Sequence, residues 1–470
     1  MSLTAIAEVV GGRLADALDP EAQVTQPAVF DSREAVEGSL FIALQGQNVD
    51  GHAYAEAAVN KGATAALVTR PVGVPAIVVD DVLAAFGRLG RCLLNGVLGR
   101  AEVVAITGSA GKTSTKDFIA QVLPGNVVAT PQSFNNEIGL PLTITLADES
   151  TSFLVLEMGA RHIGDIQALT EIAQPDISVV TNVGTAHVGE FGGRENIAKA
   201  KGEIVEALPK GGLAVLNADD DFVQQMQNRT KGRVVTYGLS EAADVRAVDV
   251  TTDDQGRASY RLVTPEGSAS VQLQFIGDVQ VHNSLAAAVV GREAGLSVDE
   301  IAARLSEAQP RSRWRMETHV RADGVTVVND AYNANPTSMR HSLNALVSMT
   351  GGRDQRSVAV LGRMNELGED ARTAHEEIGK YAAELGLDQI ILVGGDEAGW
   401  MQVGVSKAGG KAVHLPDQDT ALDLLHKILR PGDVVLVKGS RGVGSGGIQR
   451  DRDETHNRAD DGVGGGAGGA

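Results

Sequence analysis

The sequence predicts an α/β protein of three domains, and three observations predict it. Short apolar, β-branched runs alternate with helical patterns through most of the chain, the mark of parallel strands joined by crossover helices. The 470 residues leave room for two to four domains of ordinary size. Hydrophobic residues make up 43% but aromatics only 3%, so the cores must be filled by small and branched side chains, which suits layers of helix on sheet.

The first expected domain, residues 1–85, is small. Thr4–Val10 suits a short helix stopped at Gly11–Gly12. The stretch DSREAVEGSLFIALQGQNVDGHAY follows, with a turn cluster at Asp31, Ser32 and Arg33, a strand over Leu40–Leu44 and a polar loop over Gln45–His52. Ala53–Lys61 reads as a helix and Ala65–Val68 as a strand. Asp31 and Ser32 are ordinary turn formers. Arg33 is a charge beside a tight turn; alone it reads equally as a ligand contact or a solvated surface side chain.

The second expected domain, residues 86–310, is organised around AEVVAITGSAGKTSTK, residues 101–116. A buried strand, Val103–Thr107, breaks into a glycine turn and then a helix running through Val122. That geometry aims backbone N–H groups and a helix N-terminus at an anion. The candidate phosphate contacts are Gly108, Ser109, Ala110, Gly111, Lys112, Thr113 and Ser114. Lys112 would sit on the outer phosphates and Thr113 on a Mg2+ ion. The general P-loop pattern asks for a glycine where Ile106 stands, so the motif is the shorter TGSAGKT.

Further βα units follow: strand Phe153–Glu157 with a helix near 163–172, strand Ile177–Asn182 with a helix near 195–208, and strand Leu213–Leu216. Ligands on such doubly wound sheets bind beyond the carboxyl ends of the strands. Those ends carry Glu157, then Asn182 with GTAH to His187, then Asn217 and Asp219. A carboxylate and an imidazole beside a phosphate loop can ligate a divalent ion that bridges phosphates. The loop TPQSFNNEIGLP brings Asn135 and Asn136, whose amides can fix phosphates or amides. Lys199 and Lys201 lie two apart on a helix, so only one of them should face the site. Residues 244–275 read as short antiparallel strands inserted before a helix over His282–Ala294, with Asn283 in its first turn.

The third expected domain, residues 311–443, is a further parallel α/β unit, Rossmann-like in its alternation. Strand Val325–Val328 leads into NDAYNANPTSM, too polar for a spacer and readable as a binding turn. Strands Val358–Leu361, Gln389–Val393 and Val434–Val437, with helices Thr373–Glu384 and Thr420–Ile428, complete it, and KGSR follows the last strand. From Gly442 the chain turns Gly-rich, polar and aperiodic, so residues 444–470 are expected to be a disordered tail.

The net charge of −19 argues against non-specific nucleic-acid binding. The single cysteine, Cys92, excludes an internal disulfide and reads as a small apolar helix residue. No basic leader with a long apolar run opens the chain, and no stretch approaches a membrane span, so a cytoplasmic protein is expected.

These motifs together resemble the Mur ligases, the ATP-dependent amide-forming family of peptidoglycan synthesis. DSR and GSLFIAL carry the resemblance in the first domain. TGSAGKTSTK, NNEIGLP, EMGA, TNVGTAHVGEFG and AKAKGEI carry it in the second, and RWRME, NDAYNANPTSM, LGRMNELG and KGSR in the third. It spans about residues 1–443. The pairing of EMGA with DAYNANP points to the branch that adds D-alanyl-D-alanine to UDP-N-acetylmuramoyl-tripeptide (UDP-MurNAc-tripeptide) through an acyl phosphate.

The resemblance implies ATP and Mg2+ as cofactors, those two small-molecule substrates and a monomeric enzyme. Lys112, Glu157, His187, Lys201 and Asp330 become the catalytic residues it implies. Thr113, Glu157, His187 and Lys201, the last as a carbamate, become the metal ligands. Asn283 would contact the adenine side, and Arg315, Asp330 and Asn333 would reach the nucleotide or the incoming amine. Ser32 and Arg33 would lie near the UDP end, with further substrate contacts at Asn135, Asn136, Thr185, Tyr332, Asn333 and Asn335.

The family continues past KGSR into a helix where this chain has its Gly-rich tail; a shifted reading frame near Gly444 would produce such a tail. Three other readings stay open: a neighbouring ligase of the family or a folate polyglutamylating enzyme, a nucleotide-binding protein disabled by its tail, and a plain P-loop kinase or GTPase. DAYNANP argues against the folate enzymes, and the first and third domains against the kinase.

Overall fold

The computed structural model describes residues 1–440 except 47–48, 97, 100, 185–187 and 352–354. The expected tail at 444–470 therefore lies outside the described residues. Three sheets are built in succession along the chain.

The first sheet has five strands, in the order Arg13–Ala15, Ala76–Val78, Ala65–Val68, Leu40–Ile42 and Ala28–Val29. Only the pairing of Arg13–Ala15 with Ala76–Val78 is antiparallel. The opening helix, Leu3–Val10, is capped by Ser2 and ends at Gly11 in the left-handed region, φ 65°.

The second sheet has nine strands. Its parallel centre sets Glu102–Thr107 between Thr151–Glu157 and Ile177–Val180. Val104, Ala105 and Ile106 are fully buried, as a run without polar alternation requires when both faces are covered. Val245–Thr252, Arg257–Thr264 and Gly267–Ile276 extend one edge; the last two pairings are the expected antiparallel ones. Helices Lys112–Val122 and Val279–Glu293 share one face, where Phe118 stacks on Phe275 at 3.9 Å between ring centroids. Asp165–Ile172 and Arg194–Glu206 cover the other face.

The third sheet has six strands, in the order Glu317–Val320, Thr326–Asn329, Val434–Lys438, Ser357–Leu361, Gln389–Val393 and Val413–Leu415. All pairs but the first are parallel.

Among the helices that differ from the sequence expectation, which include Val298–Glu307, three do so for a tertiary reason. Val82–Asn95 is one continuous helix across the expected division at 85/86. Its Phe86 and Leu89 complete the first core, and its Leu94 joins the second. The polar loop over 130–141 closes in a helix, Gly139–Thr145, where Pro141 sits in the first turn and needs no N–H partner. Asp396–Lys407 was not expected at all. Its glycines disfavour a helix locally, yet Cβ atoms at Gly404 or Gly379 would overlap the backbone of Glu376 or Met401. The two facing helices meet backbone to backbone because those residues are glycine.

Candidate active site

The phosphate-loop turn is fastened to the next strand end. Ala110 N–H donates to Asn182 Oδ1 at 2.9 Å, while Asn182 Nδ2 and Thr181 Oγ1 donate to Ala110 O at 3.0 and 2.6 Å. Ser109 Oγ accepts from Gly184 N at 2.9 Å. Gly108 and Gly111 have φ of 155° and 82°, and Cβ atoms there would overlap the side chains of Thr181 and Asn283. No other residue type fits both turns. Asn182 was noticed in the sequence only as a strand-end residue; its role as the clamp of the loop depends on which strand lies next door.

Lys112 Nζ donates to Gly108 O at 2.8 Å. Loss of hydration lowers its pKa, partly countered by Glu157. Thr113 Oγ1 donates to Glu157 Oε2 at 2.8 Å and lies 3.2 Å from Ser133 Oγ, and Asn135 Nδ2 donates to Glu157 Oε1 at 2.7 Å. The structure thus brings Thr113, Glu157 and Asn135 together across two strand ends and a loop. Asn136 turns back on its own loop, its Oδ1 accepting from Gly139 N at 3.0 Å. Ser114 is half-buried on the loop helix. Asn283 is buried under the loop and accepts from Thr115 Oγ1 at 3.2 Å.

Of the two helix lysines, Lys199 is exposed and Lys201 is buried at the cavity wall. Burial and the nearby Lys112 charge push the Lys201 amine down to about 7.

The third domain supplies the opposite wall. Arg315 Nη2 points at Thr113 Oγ1 and Ser133 Oγ, 3.4 and 3.5 Å away, and its guanidinium lies 4.4 Å from the Tyr332 ring centroid. Asp330 turns inward: Oδ2 accepts from Lys438 Nζ and Ser342 Oγ, both at 2.6 Å, and Oδ1 accepts from Met316 N. Its carboxylate is used to hold the turn. Lys438 also donates to Asn333 O at 3.1 Å, and Asn335 caps the helix Pro336–Thr350 through Ser338 N. Burial lowers the Lys438 pKa, and the Asp330 charge opposes that shift.

A cavity of about 770 Å³ joins these walls, lined among others by Gly108, Lys112, Asn135, Glu157, Lys201, Arg315, Tyr332 and Asn333. Sequence reasoning missed several of its other residues. Arg161 bridges to Glu366 across it at 3.2 Å. The loop with Asn365 and Glu366 is pinned by buried His375, whose Nε2 accepts from Met364 N at 2.9 Å; burial lowers the His375 pKa, which keeps that nitrogen an acceptor. Ser133 lay unmarked inside TPQSFNNEIGLP.

Ser32 and Arg33 do not line this cavity. Arg33 is exposed and paired with Asp31, Nη2 to Oδ2 at 2.6 Å, and that guanidinium holds the Asp31 carboxyl down at about 2. Thr185 and His187 lie outside the described residues.

The donors present suit a small hard cation. Thr113 Oγ1 and a Glu157 oxygen stand together, and no cluster of three or more His, Cys, Asp or Glu gathers among the described residues. Mg2+ needs few protein ligands because water and phosphates complete its shell.

A phosphate loop faced by a second α/β domain across a polar cavity defines a nucleotide-dependent enzyme. Residues 106–291 match the Mur ligase middle domain, 314–441 the Mur ligase glutamate ligase domain, and 29–89 the catalytic domain of the Mur ligase family. UDP-N-acetylmuramoyl-tripeptide–D-alanyl-D-alanine ligase of Mycobacterium tuberculosis H37Rv is 45% identical, over 95% of this chain and 96% of its own. The Escherichia coli K12 enzyme of that name is 34% identical over 94% and 96%. MurF from Acinetobacter baumannii superposes with a TM-score of 0.85 at 30% identity, over 96% and 98% of the two chains. MurF ligase from Thermotoga maritima in complex with ADP gives 0.77 at 30% identity, over 93% and 99%. The chain belongs to the Mur ligase family.

Proposed function

We infer that this protein is the ATP-dependent ligase that joins D-alanyl-D-alanine to UDP-MurNAc-tripeptide, forming the pentapeptide precursor of peptidoglycan. The observation that carries the reading is kinship along nearly the whole chain to ligases of that name, with a phosphate loop and a third domain sharing one cavity. No helix of the described residues is long and apolar enough to cross a membrane. In the division we propose, residues 1–85 hold the UDP end near Ser32 and Arg33, 86–310 bind ATP, and 311–443 close over both; the protein acts as a cytoplasmic monomer.

The chemistry follows from the side chains. A carboxylate is a poor acyl donor, so the tripeptide carboxylate first attacks the γ-phosphorus of ATP, and ADP leaves. The dipeptide amine then attacks the acyl phosphate carbonyl, loses a proton and expels inorganic phosphate. The residues contribute placement and charge neutralisation. Lys112 and the loop N–H groups hold the phosphate chain; Arg315, braced on Tyr332, meets it from the other side. Asn135 orients Glu157, and Asn333, in the opposite wall of the cavity, would reach the incoming amine. Thr113, Glu157, His187 and a carbamate on Lys201 would hold Mg2+, which when bound neutralises phosphate charge. An amine that sheds its proton near neutral pH is able to take up CO2, which supports the carbamate. A ¹³C-bicarbonate NMR signal absent from Lys201→Met checks it.

The experiment for the function is phosphate release from ATP with UDP-MurNAc-tripeptide, with and without D-alanyl-D-alanine. Release that requires the dipeptide, with the pentapeptide seen by mass spectrometry, is expected. Nucleotide binding without release would overturn the reading in favour of a disabled homologue.

A further inference from the structure

The helix that begins at the phosphate loop carries a second attachment on its outer face. Asp117 and Gln121 stand one turn apart, and both hold the segment entering the third domain. Asp117 Oδ2 accepts from Arg311 N and Ser312 N at 3.3 and 3.0 Å, and Oδ1 accepts from Ser312 Oγ at 3.0 Å. Gln121 exchanges hydrogen bonds with the Gln309 backbone, at 2.9 Å to its O and 3.1 Å from its N. Lys116 Nζ completes the fastening, donating to Ser312 Oγ at 3.2 Å and to Thr130 O at 3.0 Å, with Asp117 Oδ1 3.0 Å away. Asp117 and Lys116 are each only 4% exposed, so leaving either without its partners is costly.

Three residues beyond Ser312 comes Arg315. The backbone around it is strained: Trp314 and Met316 have φ of 61° and 53°, a region bulky side chains avoid. The strain is held from both ends, by Trp314 N donating to Glu317 Oε2 at 3.1 Å and Met316 N donating to Asp330 Oδ1 at 3.2 Å. Arg315 Nε is buried with no hydrogen-bond partner among the described residues. The guanidinium is thus aimed by its backbone rather than drawn into place by a carboxylate.

We propose that Asp117 is a positioning residue for the ligation, fixing the 309–312 segment to the phosphate-loop helix so that Arg315 is set at a defined distance from Thr113. The proposal rests on the ligase reading above. One helix then carries both halves of the phosphate grip, Lys112 and Thr113 at its start and Asp117 one turn later.

The test is a double-mutant cycle on purified full-length protein: Asp117→Ala, Arg315→Ala and both together, measured as dipeptide-dependent phosphate release. Asp117→Ala is expected to lower kcat about ten- to a hundredfold, with the KM for UDP-MurNAc-tripeptide unchanged. Asp117→Asn, which keeps an acceptor oxygen, is expected to recover most of that loss. The double variant is expected to be no slower than Arg315→Ala alone, since residues acting through one another do not add. Additive losses, or an Asp117→Ala enzyme at wild-type kcat, would overturn the proposal. Should Asp117→Ala not fold, Ser312→Ala enters the same cycle from the other side of the bonds. Absence of dipeptide-dependent release in the unmutated protein sinks the ligase reading instead, so the two failures are distinguishable.

Discussion

Lys201 in the second domain and Lys438 in the third are both almost wholly buried, and they have opposite surroundings. Lys438 has a carboxylate at 2.6 Å and two backbone oxygens within reach. Lys201 has no hydrogen-bond or ion-pair partner among the described residues, and its charged neighbour is another lysine. Both amines are made more acidic by burial, but only for Lys438 does a carboxylate oppose the shift. Burial with a partner makes a brace; burial without one makes an amine that gives up its proton near neutral pH. Lys201 lines the cavity with Lys112 on the side proposed as the reacting wall, whereas Lys438 lies behind the third-domain side and holds Asp330 and Asn333, the supporting wall.

Four tests break or sharpen that contrast. On the reacting wall, Lys112→Ala is expected to lower kcat by at least about a hundredfold while leaving the unfolding midpoint near that of the parent; steady-state phosphate release and a thermal melt check it. Near-normal ligation would remove Lys112 from the phosphate grip.

On the supporting wall, Lys438→Met leaves Asp330 buried without its cation and is expected to cost about 3–5 kcal/mol, read as a lower urea midpoint. Adding Asp330→Asn to it should recover part of the loss, because the uncompensated charge is gone. A double variant weaker than the single one would show that the pair is not the brace.

Lys201 tests the contrast through pH. Its pKa falls from 10.5 unfolded to about 7 folded, so between those values the unfolded chain binds the extra proton and stability rises with pH. Below about pH 7 the full cost of the buried ammonium is present. Lys201→Met is therefore expected to be more stable than the parent at pH 6, with the gap closing toward pH 10. Urea unfolding of both proteins at several pH values reads it, and a gap independent of pH would mean Lys201 is not buried as a charge.

The smallest effect is expected at Arg33→Ala. The pair with Asp31 is open to solvent, where screening leaves ion pairs little weight, so the melting temperature should not move. A raised KM for the UDP substrate alone would place Arg33 at the UDP end.

Central strands of each sheet were legible in the sequence because apolar β-branched runs and glycine turns are local signals, while edge strands such as Arg13–Ala15 and Asn126–Ala129 were not. Val103–Ile106, Ala65–Val68 and Gln389–Val393 fall where their patterns put them. The helix Asp396–Lys407 was not legible, since its glycines argue against a helix until a second helix is known to lie against them. At the site, Lys112, Thr113 and Glu157 stood at predictable strand ends. Asp117 carried no motif, Ser133 and Glu366 lay unmarked inside TPQSFNNEIGLP and LGRMNELG, and nothing local says that Asp117 meets a segment nearly two hundred positions further on.

The sequence by itself determined the α/β class, the phosphate loop and, through its motifs, the ligase family. These depend on short-range rules: backbone sterics at glycine, the period of apolar residues, the dipole at a helix start. The tertiary structure alone decided which lysine is buried beside another charge and which is braced by a carboxylate, that Asp330 faces inward, and that the segment leading to Arg315 is fastened to the phosphate-loop helix. Protonation and aim are set by what lies within a few ångströms, and for these residues those neighbours come from distant parts of the chain.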